Sequence, residues 1–146
     1  VLYRAYHQLV RQEHRDKLPK LVFVGMPGWG VGDLLSDIAL DPFTQGLIVQ
    51  LHHVTDAELL ALYKGAQFCV YPSLYEGWGL PVGEALSLGK AVLSSDQGSL
   101  PEVGGDLVRY VPAWDVSAWA AAILDWTINP KTLAAAARRV AKTYRP

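Results

Sequence analysis

The sequence predicts an α/β domain, a doubly wound parallel sheet of Rossmann-like form. Two observations carry this. Five short apolar runs have the texture of strands buried on both faces: "LVFVG" from Leu21, "LIVQL" from Leu47, "QFCVYP" from Gln67, "AVLSS" from Ala91 and "LVRYV" from Leu107. A helical pattern follows each of them, as crossover connections between parallel strands require. With 146 residues, 51% of them apolar, the chain can bury one full core, and a single domain over 1–146 is expected.

The elements follow in order. Leu2, Ala5, Tyr6, Leu9 and Val10 form one helical stripe. The first strand ends in Gly25, the loop "MPGWGVGD" follows, and a short helix is expected from Asp33. After the second strand, Thr55 and Glu58 have capping-box spacing and open a helix to about Lys64. Pro72 stops the third strand. Residues 80–88 read as a helix with Pro81 at its first position and Gly89 closing it. Ser99 and Glu102 again have capping-box spacing, ahead of a short helix. Val116, Trp119, Ala120, Ile123 and Leu124 mark a further helix. Asn129 and Pro130 are expected to cap and start the last one, with Leu133, Ala136, Ala137 and Val140 inward. Domains of this class usually begin with a strand, whereas this chain begins in a helix. A leading strand is therefore expected upstream of residue 1.

Bulk properties exclude several functions. The formal charge is −1, from 13 basic and 14 acidic residues, which argues against nucleic acid as a partner. No apolar run approaches the roughly 20 residues that span a bilayer. The charged, periodic first stretch does not read as a signal peptide. Cys69 is the single cysteine; an inert core thiol and a reducing, cytoplasmic compartment are expected. His52 and His53 have no acid or Cys partner at metal spacing and read as surface or capping residues, so no metal site is expected.

The stretch "YPSLYEGWGLPVGEALSLGK" holds the candidate site. It leaves the third strand at the carboxyl edge of the sheet, where open parallel sheets bind ligands. Gly77 and Gly79 permit backbone conformations closed to other residues. Amides around Gly79, Leu80 and Val82 at the helix start favour an anion such as phosphate. Glu76 and Glu84 flank that turn, and carboxylates accept well from paired sugar hydroxyls. A sugar nucleotide, with its phosphates between two hydroxyl-rich groups, fits the pattern. The residues alone leave other roles open: Glu84 complementing a helix dipole, Glu76 a solvated loop acid, Glu102 a cap.

The run from Tyr71 to Asp106, "YPSLYEGWGLPVGEALSLGKAVLSSDQGSLPEVGGD", resembles the signature of the retaining group-one (family 4) glycosyltransferases of the GT-B fold. That family places two Glu with seven residues between them over a Glu-Gly-Phe-Gly-Leu-Pro run, matched by Glu76 and Glu84. The weaker "VTDAELLALYKGAQFCVYPS" resembles the family as well. The resemblance implies that Glu76 holds the donor sugar's hydroxyls, which makes it the candidate catalytic residue. It implies that Glu84 holds the ribose, and that Gly77, Trp78, Gly79 and Leu80 approach sugar and phosphate. It places the base near Leu51 to Val54, and it implies no metal and no cofactor beyond a nucleoside diphosphate sugar donor.

Trp78 stands where the family usually has Phe, and Lys90-Ala91 where Thr-Pro is common. The family's basic pair after a first strand has no counterpart, and Arg4, Arg11 and Arg15 fall in the first helix. The resemblance therefore implies a donor-binding C-terminal domain of a longer enzyme, without the first strand and the N-terminal domain, and inactive in transfer by itself. The rival readings are a GT-B nucleotide-sugar epimerase and a non-catalytic nucleotide-sugar-binding module.

Overall fold

The computed structural model describes residues 1–146. The helices are α1 Leu2–Arg11, α2 Gly32–Leu40, α3 Asp56–Gly65, α4 Leu80–Ser87, α5 Leu100–Gly104, α6 Val116–Ile128 and α7 Pro130–Thr143. The strands are β1 Leu21–Val24, β2 Ile48–Leu51, β3 Cys69–Tyr71, β4 Val92–Ser94 and β5 Arg109–Tyr110. Every expected element forms in the expected order. Arg15 lies beyond α1, in a short 3-10 turn, where its guanidinium donates to the carbonyls of Phe43 and Gln45.

All strand pairs are parallel. They form two sheets, β1-β2 and β3-β4-β5, which share no hydrogen bonds. A cavity of about 940 Å³ lies between them, lined by Val22 and Val24 of β1, Cys69 and Val70 of β3, and Leu59 and Leu62 of α3.

Helices cover both faces of the larger sheet. Alternation along β4 sends Leu93 into one core and Val92 into the other. The first core packs the α1 stripe of Leu2, Ala5, Tyr6 and Leu9 against Trp119, Ala120 and Ile123 of α6. Fully burying Leu2, Leu9 or Ile123 contributes about 1.5–3 kcal/mol each. The second core packs Val82, Ala85 and Leu86 of α4 with Leu100, Val108 and Val140. Cys69 borders it, and burial pushes its thiol up to about 11, as suits an unreactive cysteine.

The caps divide the expectations. Thr55 and Glu58 form the full capping box: Glu58 N donates to Thr55 Oγ1 at 3.2 Å, and Thr55 N to Glu58 Oε2 at 2.8 Å. Ser99 does not cap α5; its hydroxyl donates to the Glu76 carbonyl at 3.0 Å, and Glu102 is exposed. Asn129 joins α6 to α7 but makes no side-chain cap, because its amide donates to Asp125 Oδ1 at 2.6 Å. α6 has its own side-chain cap, Asp115, which accepts from Ala118 N at 2.9 Å.

Candidate functional site

The site is the loop from β3 to α4, supported by the loop after β4. Gly79 makes the turn. It is the residue before α4, it takes the left-handed conformation (φ 62°, ψ 37°), and a Cβ there would lie 2.8 Å from the buried Leu100 side chain. Gly77 has open space around it and no positive φ, so nothing in the fold demands glycine there. Leu80 takes the first helical position and Pro81 the second, one place later than the sequence pattern predicts.

The amides of Gly77, Trp78, Gly79 and Leu80 donate to no group of the protein. The Val82 amide is engaged, donating to the Gly79 carbonyl at 3.0 Å, so it drops out of the expected anion-facing set. The turn also exposes Tyr75, Trp78 and Leu80.

Both acids are held by hydroxyls from outside the turn. Tyr71, at the end of β3, donates to Glu76 Oε1 at 2.7 Å, and Ser73 Oγ donates to the same oxygen at 2.9 Å. The Glu76 main chain is fixed as well. Its carbonyl accepts from Ser99 Oγ at 3.0 Å, and Gly98 lies so close that a Cβ would stand 2.8 Å from that carbonyl oxygen. Gly98 has φ +58°, so it is a glycine position on both counts. Glu84 is exposed and accepts from Tyr63 OH of α3 at Oε2, 2.8 Å away. Glu84 is not in the first turn of α4, so the helix-dipole role fails on position.

Burial, then the adjacent Glu84 carboxylate, pushes the Tyr63 hydroxyl well above its ordinary value. Burial, then Glu76 and Glu84, does the same to Tyr71. Both tyrosines therefore keep their protons and remain donors at neutral pH. Each acid is left with one oxygen that no protein group engages, Oε2 of Glu76 and Oε1 of Glu84.

The structure thus places Glu76, Gly77, Trp78, Gly79, Leu80 and Glu84 in one segment around one turn. Leu51, the last residue of β2, and His52 to Val54 after it instead border the cavity between the sheets, with His52 Nδ1 donating to the Gly25 carbonyl at 2.7 Å. The sequence reading missed Tyr63, Tyr71, Ser73, Gly98 and Ser99. All but Tyr63 lie inside the Tyr71–Asp106 run that carries the family resemblance, and Ser99 was read there only as a helix cap.

Comparison with known proteins decides the family. The family model for Glycosyl transferases group 1 matches residues 1–143. The chain belongs to the group 1 glycosyl transferases. Among curated relatives, the O-antigen chain mannosyltransferase B of Escherichia coli is 42% identical over 123 residues, 84% of this chain and 32% of that protein. The MMP alpha-(1->4)-mannosyltransferase of Mycolicibacterium hassiacum is 37% identical over 83 residues, 55% of this chain and 20% of that protein. Among solved structures, TarM superposes with TM-score 0.71 at 19% identity, over 99% of this chain and 29% of that one. A Thermosynechococcus elongatus sucrose-phosphate synthase gives 0.68 at 25% identity, over 95% and 37%. The group 1 chain therefore spans about a third of the length of the relatives it matches most fully. Its α/β domain is of the kind found in GT-B glycosyltransferases.

Proposed function

We propose that this chain is the donor-binding half of a retaining hexosyltransferase, which moves a sugar from a nucleoside diphosphate sugar to an acceptor hydroxyl. The observation that carries the reading is the turn at Gly79: four unengaged amides lie between two carboxylates, each with one free oxygen. The amides suit the diphosphate. The carboxylate oxygens suit vicinal hydroxyls, those of the donor sugar at Glu76 and of the ribose at Glu84. The relatives' names support mannose as the transferred sugar, and the O-antigen chain enzyme supports a growing glycan chain as the acceptor. Such a donor is met in the cytoplasm. No helix here is long and apolar enough to cross a membrane.

The acceptor site and the groups that neutralise the leaving diphosphate belong, in this reading, to the rest of the protein. So does the strand expected before residue 1. The cavity between the sheets supports its place: it is apolar, and it borders β1 and β3, each the edge strand of its sheet. An extended segment there would pair with both edges and join the two sheets into one.

Calorimetric titration with nucleoside diphosphates tests the donor reading. Glu84→Ala should weaken binding by about 1–3 kcal/mol, the range for losing hydrogen bonds to a charged group. Glu102→Ala, at an exposed acid without partners, should not. Equal affinities for wild type and the Glu84 variant would sink the ribose assignment.

A further inference from the structure

Tyr63 and Tyr71 come from different elements, α3 and β3, and each donates to a different acid. Their rings both pack against the core of α4, α5 and β4, while their hydroxyls reach the rim of the turn. Ring and hydroxyl therefore do separable work. The ring belongs to the core. The hydroxyl fixes a carboxylate that otherwise keeps its full rotamer freedom beside solvent.

The choice of oxygen matters. Tyr63 occupies only Oε2 of Glu84, and Tyr71 and Ser73 share only Oε1 of Glu76. Each acid is thus immobilised from behind with its second oxygen left to accept from a ligand. A carboxylate already fixed spares the ligand the ordering entropy that binding normally costs.

We infer that Tyr63 and Tyr71 are positioning residues that divide the donor between them: Tyr63 sets Glu84 for the nucleoside half, and Tyr71, with Ser73, sets Glu76 for the transferred sugar. The inference rests on the donor reading above. It assigns each hydroxyl to one half of one ligand, so the two halves can be read apart.

The test uses Tyr63→Phe and Tyr71→Phe, which keep the rings and remove only the hydroxyls. Affinities of the 146-residue chain are measured for matched pairs: UDP and UDP-glucose, GDP and GDP-mannose, ADP and ADP-glucose. Tyr63→Phe should weaken a nucleoside diphosphate and its sugar-bearing partner equally, by roughly threefold to tenfold. Tyr71→Phe should leave the nucleoside diphosphate unchanged and weaken only the sugar-bearing partner, by a similar factor. In a double-mutant cycle, Tyr63→Phe should cost nothing further once Glu84 is Ala, because its only proposed action is through that carboxylate. Thermal unfolding reads the packing separately.

Equal weakening of both ligands by both variants would overturn the division, since a general loosening of the turn acts that way. Full additivity of Tyr63→Phe with Glu84→Ala would overturn the positioning role. A Glu84→Ala effect without any Tyr63→Phe effect leaves the donor reading standing and removes this one. No binding of any pair by the wild-type chain removes both.

Discussion

Gly98→Ala tests the most specific packing claim about the site, that the loop after β4 holds the Glu76 main chain in place. At φ +58° an alanine costs about 1–2 kcal/mol by local sterics. The new methyl also meets the Glu76 carbonyl oxygen at 2.8 Å and its amide nitrogen at 3.2 Å. Both are main-chain atoms and cannot rotate away, so the two segments must part, an overpacking cost of about 1–3 kcal/mol. The total is about 2–5 kcal/mol, or on the order of 10 °C in Tm for a domain of this size. Gly89→Ala is the matched control. Gly89 also has positive φ, +72°, but a Cβ there meets only the Ala141 methyl, at an ordinary 3.7 Å. It should lose the conformational part alone, about 1–2 kcal/mol. Thermal melts give the stabilities. Titration with a nucleotide sugar gives the function: Gly98→Ala should weaken the sugar-bearing ligand, because Glu76 moves with its backbone, and Gly89→Ala should not. Identical losses of stability in the two variants, with ligand affinity intact in both, would refute the coupling between residues 98 and 76.

Two further outcomes are expected. Sugar transfer by the full-length protein should survive EDTA, since the family resemblance implies a metal-independent reaction, while the 146-residue chain assayed beside it should turn over no donor; activity lost on chelation and restored by a divalent ion would contradict the first part, and robust turnover by the chain the second. At Asp41, burial raises the carboxyl pKa, but hydrogen bonds from His7, the Phe43 amide and Tyr3 outweigh it and hold the value below the ordinary one. A depressed folded value contributes stability above about pH 3.9 that is lost as pH falls through the folded value. Asp41→Asn should therefore lower Tm at neutral pH and flatten the acid limb of stability against pH, and an unchanged acid limb would contradict the assignment.

Much of this fold was legible because period and punctuation agreed. The α1 stripe, the Thr55 cap and the turn at Gly79 are each set by residues within one or two turns of each other. What failed was set from farther away. Ser99 has the same spacing to Glu102 as Thr55 has to Glu58, yet its hydroxyl goes to the Glu76 carbonyl across the site. Asn129 is the exception: the competing partner of its amide, Asp125, lies only four residues back. The division into two sheets left no mark on strand periodicity, because each strand is apolar whichever neighbour it pairs with. The acids were readable from spacing and resemblance. Their supporting hydroxyls were not, since Tyr63 lies 21 residues from Glu84 on a helix with no fully buried residue to set its face.

The loop after β4 makes the site one object rather than a turn with two acids nearby. Gly98 lies against the Glu76 main chain, Ser99 donates to the Glu76 carbonyl, and Leu100 fills the space beneath Gly79. Three consecutive residues therefore touch both the acid and the turn that carries the free amides. β3 and β4 are adjacent and parallel, so their carboxyl-end loops meet, the geometry in which open sheets build ligand sites. The Ser95 hydroxyl binds the Ser73 carbonyl and the Ser95 amide the Tyr71 carbonyl at 3.0 Å, which locks the two loops at their base. A shift in the loop after β4 must then move Glu76 and the amides of the turn together. If the proposed donor reading holds, the sugar half and the phosphate half would be felt jointly at residues 98–100, whereas Glu84, tied to α3 through Tyr63, answers to a different part of the fold.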